Sequence, residues 1–127
     1  MPVSDWVALL AIAHRFKFTD AEFRARREVF QRTPPLDPVR QITIAEKCSV
    51  PTSFIVPALE DLVQRQEPLR EIELAAMSSE MAARLGVARE RYVRESSRAF
   101  SNDKWLQRVA NDIVRSVWLT GNASESV

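Results

Sequence analysis

Residues able to do nucleophilic or acid-base chemistry are scarce in this 127-residue chain, which holds one histidine, His14, and one cysteine, Cys48. Nucleophilic catalysis needs a base beside the nucleophile, commonly a histidine oriented by a third group. His14 lies among Arg15 and Lys17 at the polar edge of an apolar run, where a solvated or hydrogen-bonded surface role is expected. Cys48 reads as a small buried hydrophobe rather than a reactive thiol. A single Cys and a single His cannot complete a structural zinc site. Glu71, Glu73, Glu90 and Glu95 sit at helical surface spacing, where ion pairs with arginine account for them. Glycine-rich phosphate loops are absent. The chain therefore reads as a non-enzyme, with no cofactor and no metal expected.

The elements that would position these residues are helical. Ser4 is a candidate N-cap for a first helix in which Trp6, Leu9, Leu10, Ala13 and Phe16 recur at spacings of three and four. Thr19-Asp20-Ala21-Glu22 matches a capping box, and the second helix it opens should stop before Pro34-Pro35. Asp37 before Pro38 is a strong helix start, since proline at the first helical position loses no needed hydrogen bond. A third helix is expected from Pro38 to about Cys48. After a corner at Ser49-Val50-Pro51, Thr52 or Ser53 should cap a fourth, with Ile55, Ala58, Leu59, Leu62 and Val63 inward.

Leu69 to Met77 form a short fifth helix, and Ser78-Ser79-Glu80 opens a sixth through Met81, Leu85, Ala88 and Tyr92. Gly86 inside it suggests close packing. Ser101-Asn102-Asp103 starts a last helix striped by Leu106, Val109, Ile113 and Val117, after a polar stretch at 95–103 that could hinge it. The expectation is an all-α domain of six to seven short helices packed as antiparallel hairpins, with Leu9, Leu10, Ala13, Phe16, Ile42, Ala45, Leu59, Leu62 and Leu85 in the core. Residues 1–100 form the main body, 101–119 a C-terminal helix packed on it or in an interface, and 120–127 a disordered tail.

Composition limits the partners. Eighteen Lys and Arg against 17 Asp and Glu leave a net charge of +1, too little to steer the chain onto nucleic acid. The Ala45 to Ile55 corner resembles a DNA-reading helix-turn-helix, and that reading is kept as the alternative. Its second helix, however, offers Phe54, Val56 and Pro57 followed by Glu60 and Asp61, which argues against base recognition. The Arg-rich runs at Arg24-Arg26-Arg27 and Arg84-Arg89-Arg91-Arg94-Arg98 are interleaved with glutamates and read as solvated, ion-paired faces. The longest apolar run, Trp6 to Ala13, is eight residues, far short of the roughly 20 that span a bilayer. No membrane partner is expected. With no secretory signal and a lone cysteine, an intracellular setting is expected, cytoplasm or nucleus.

Asp5-Trp6, Leu9-Leu10, Ala13, Phe16 and Phe18, then Leu36-Asp37-Pro38-Val39, Ile42 and Ala45, then Val50-Pro51, Pro57-Ala58-Leu59, Leu62 and Arg65, then Glu67-Pro68-Leu69 and Arg89-Glu90 form a familiar order. It resembles the helical region after the BTB/POZ domain in fungal, mushroom-type BTB proteins. The BTB core itself is missing, so the resemblance assigns no dimerisation or cullin-binding residue. It implies an adaptor-like module that binds another protein or a second copy of itself. In the family the first helix continues from the BTB core, which implies that the face carrying Val3, Trp6, Val7 and Leu10 has lost its usual cover. Trp105 and Trp118 on the last helix complete the candidate interface. The alternative is that the last helix folds back over the first.

Overall fold

A computed structural model of the chain describes residues 2–97 and 103–120. It contains α1 (Val3–Phe16), α2 (Thr19–Phe30), α3 (Pro38–Lys47), α4 (Val56–Gln64), α5 (Glu71–Ala76), α6 (Ser79–Ser96) and α7 (Asp103–Val114). A 3-10 turn at Thr52–Ile55 leads into α4, and a π-helical turn at Arg115–Thr120 continues α7. Among the described residues there is no strand, so the fold is all-α. Among the described residues no helix is long and apolar enough to cross a membrane. The expected disordered tail and the helix start at Ser101-Asn102 fall largely outside the described residues, as do residues 98–102 of the expected hinge.

The centre of the molecule is α4, which packs against α3, α6 and α7. It is short and amphipathic, with Ala58, Leu59, Leu62 and Val63 all at most 2% exposed. α3 starts as its sequence demands. The Asp37 carboxylate accepts from the Arg40 N–H at 3.3 Å and Pro38 takes the first helical position. α6 starts equally plainly, the Ser78 hydroxyl accepting from the Met81 N–H at 3.1 Å. α7 lies on α4 and α6 and supplies Val109, Ala110, Ile113 and Val114 to the core, with Trp118 from the π-helical turn. α1 and α2 pair chiefly with each other, as a hairpin laid on this body.

Several local expectations are corrected. Pro2, not Ser4, precedes α1, and Phe18 precedes α2, so Thr19 forms no capping box. The reason is Glu22, whose carboxylate is drawn to Arg26 at 2.5 Å and His14 at 3.2 Å instead of reaching back to the helix start. Thr52 opens a 3-10 turn rather than α4 itself. A Cβ built on Gly86 meets nothing within 4 Å, so no close packing requires that glycine. Of the expected core, Leu10, Ala13, Ile42, Ala45, Leu59, Leu62 and Leu85 are buried, whereas Leu9 is half-buried and Phe16 is 59% exposed. Phe16 lies one turn beyond Ile12 on the outward side of α1, and its helix ends there.

Candidate interaction surface

α1 ends in a Schellman motif without glycine. Lys17 takes the left-handed conformation, φ 59 and ψ 39, and donates its N–H to the His14 carbonyl at 3.3 Å. The Phe18 N–H reaches the Ala13 carbonyl at 2.9 Å. This pair of bonds reverses the chain within two residues, and it leaves His14 through Asp20 all exposed. The tip so formed alternates basic and aromatic side chains. The rings of Phe16 and Phe18 stack with centroids 6.2 Å apart at 28°. The Arg15 guanidinium lies 5.6 Å from the Phe16 ring centroid.

The two sides of the hairpin differ in chemistry. On the inner side, Leu10, Ala13, Ala25 and Val29 are fully buried. Arg26 lies 5.6 Å from the ring centroid of Phe54 in the 3-10 turn, and Phe30 approaches that ring at 6.3 Å, so α2 is fastened to the body. On the outer side, Ala8, Ile12 and Phe16 recur every fourth residue along α1, all exposed, and Asp20, Phe23, Arg24 and Arg27 form the exposed stripe of α2. Ile12 is 51% exposed and Phe23 58%. Three phenylalanines with more than half their surface in water amount to roughly 300 to 400 Å2 of aromatic area, the size of the largest patch on a typical monomer.

The sequence candidates fall elsewhere. Leu10 and Trp118 are 0% and 1% exposed, so neither belongs to a surface. Leu10 points to the inner side of the hairpin, and the π-helical turn carries Trp118 into the same core as Ile55 and Met81. Val3, Trp6 and Val7 are half-buried, with the Arg24 guanidinium 5.6 Å from the Trp6 ring centroid. Trp105 is half-buried on α7, a helix that packs on α4 and α6 rather than folding back as the cover of α1. The apolar surface left open is the outward stripe with Ile12, Phe16 and Phe23, together with Phe18 at the tip of the hairpin.

The ionic core was also hidden from spacing alone. Glu73, read as a surface carboxylate, is 7% exposed. It accepts from both terminal nitrogens of Arg65 at 2.7 and 3.0 Å and from the Arg70 N–H at 2.8 Å. The Arg65 hydrogen bonds, then the backbone one, hold its carboxyl well below the usual range, at about 2. Arg89 donates to the carbonyls of Leu62 and of Glu67, and tethers α6 to the end of α4. Glu60, buried on α4, accepts from Gln107 at 3.0 Å and Asn111 at 3.1 Å and so latches α7. Burial pushes the Cys48 thiol above its ordinary value, which disfavours the thiolate.

Cavities add little chemistry. One cavity of about 590 Å3 lies between the ends of α4 and α6 beside Arg65, Arg89 and Tyr92. Among the described residues no three His, Cys, Asp or Glu side chains converge to hold a metal ion. The second helix of the supposed DNA-reading corner, α4, exposes Pro57 and Asp61 and buries most of the rest. No protein-family model matches the chain, and neither a curated protein nor a solved structure matches it.

Proposed function

We propose that this chain is a non-enzymatic protein-interaction module, of the kind its resemblance to the helical part of fungal BTB proteins suggests, and that it binds through the outer face of the α1–α2 hairpin. The observation that carries this reading is the exposure of Ile12, Phe16, Phe18 and Phe23, each more than half in water, on one two-helix unit. Water-exposed phenylalanine at this density is unfavourable for an isolated protein and favourable at the centre of a contact. Flanking Arg15, Lys17, Arg24 and Arg27 form the polar rim such contacts carry. An intracellular setting, cytoplasm or nucleus, fits the lone buried Cys48. A nucleic-acid role draws no support from α4, whose exposed Asp61 would repel phosphate.

Photo-crosslinking tests the reading. A photoreactive phenylalanine analogue at position 18 should form adducts with a protein in living cells, whereas the same probe at the exposed position 47 on α3 should not. Equal yields from both positions, or none from position 18, would overturn it.

A further inference from the structure

The outer face of the hairpin is complementary to itself. We infer that the face formed by Ala8, Ile12 and Phe16 of α1 and Asp20, Phe23, Arg24 and Arg27 of α2 docks onto the same face of a second copy of this chain, antiparallel, about a two-fold axis. The inference rests on the interaction reading above and names the partner.

Register carries it. In an isologous contact, residue i meets residue j and j meets i, so a pattern fits itself only if its halves are complementary. On α2, an axis passing between Phe23 and Arg24 sets Asp20 against Arg27 of the other copy, twice. It also brings each Phe23 ring against the other copy's Arg24 and its Phe23. Neither Asp20 nor Arg27 has an ion-pair partner within its own chain among the described residues. The same axis crosses α1 near Ile12, because α1 and α2 run antiparallel across the turn at Lys17 and Phe18. Ile12 then meets its own copy, and the small Ala8 sits opposite the large Phe16. A single operation thus pairs acid with base and small with large.

Size agrees with that arrangement. The exposed aromatic and aliphatic side chains, with the stems of Arg24 and Arg27, supply on the order of 600 Å2 per copy, or about 1,200 Å2 in total, the lower end for specific contacts. An association of micromolar strength is the expected result. Asp20 and Glu28 flank the arginines on the exposed side of α2, so an extended acidic peptide would meet these carboxylates as well as Arg24 and Arg27, and fits less well than a second copy.

Sedimentation equilibrium on the full chain across the micromolar range tests the proposal. The wild type should pass from monomer to dimer. Arg27→Asp, which faces Asp20 of the other copy with a like charge, should weaken the dimer at least tenfold, and Phe23→Ser should do so through a different contact. The double variant Asp20→Arg/Arg27→Asp should recover most of the wild-type association. All the altered side chains are exposed, and circular dichroism of each variant should match the wild type. A chain that stays monomeric throughout, or a double variant as weak as Arg27→Asp alone, overturns the proposal. If the monomeric chain still forms protein adducts from position 18, the second copy is excluded while the interaction module stands.

Discussion

Two helices of this protein end in the same way and meet opposite fates. α1 turns off at Lys17, φ 59, with the Phe18 N–H on the Ala13 carbonyl at 2.9 Å. α3 turns off at Ser49, φ 55, with the Val50 N–H on the Ala45 carbonyl at 2.8 Å. Neither uses the glycine that such a position favours. Yet Val50 is 8% exposed, within the same core cluster as Ile55, Met81 and Trp118, whereas Phe18 is 59% exposed. Both sites share the left-handed residue and the hydrogen bond that closes the turn behind it. The fate of the next apolar residue depends on whether other elements arrive to cover it, and at the α1 end none of the described elements does.

The sharpest way to break this comparison is to remove the cover. Trp118→Ala should destabilise the fold by about 3–5 kcal/mol in urea unfolding, as loss of a fully buried aromatic does. Phe18→Ala should change stability by no more than about 0.5 kcal/mol. If the two costs are similar, the tip is part of a core and the contrast fails.

Next in size is the Glu73 clamp, which joins the α4 end to α5. Its carboxyl titrates at about 2 in the folded chain against 4.5 ordinarily, so its stabilisation is complete above pH about 4.5 and is lost as the pH falls towards 2. Glu73→Gln should cost about 2 kcal/mol at neutral pH and flatten the acid limb of the stability curve. The measurement is unfolding by denaturant at a series of pH values. An unchanged acid limb would mean that Arg65 and Glu73 do not share a proton-sensitive contact.

Smaller effects test whether the two helix ends really are equivalent. Lys17→Gly and Ser49→Gly should each stabilise the protein by about 0.5–1 kcal/mol, because glycine takes the left-handed conformation without steric cost. Similar gains at the two sites, read from thermal melts, would show that backbone geometry is independent of cover. Gly86→Ala should add up to about 1 kcal/mol, since the new methyl meets no neighbour.

The sequence made the punctuation of this fold readable: Asp37-Pro38 and Ser78 mark helix starts that the hydrogen bonds bear out, and Ala58, Leu59, Leu62 and Val63 mark the inward face of α4. Periodicity could not choose between the faces of α1. That helix has apolar residues on nearly every side, and the choice between the Leu10 and Ala13 face and the Ala8, Ile12 and Phe16 face is made by α2 and the body beneath it. The Arg65 and Glu73 pair was hidden for a similar reason: the two residues lie on either side of the Glu67-Pro68 break, where helical spacing rules do not apply. Trp118 was ambiguous because its burial depends on a π-helical turn, which shifts the register of the stripe after Val114.

The central claim is that the outer face of the α1–α2 hairpin binds a protein chain. Photo-crosslinking yield from position 23, compared in the otherwise unchanged chain and in one carrying Phe16→Ser and Phe18→Ser, tests it most directly. The second chain is expected to fold normally and to lose most of its adducts. An undiminished yield from the folded variant would contradict the claim.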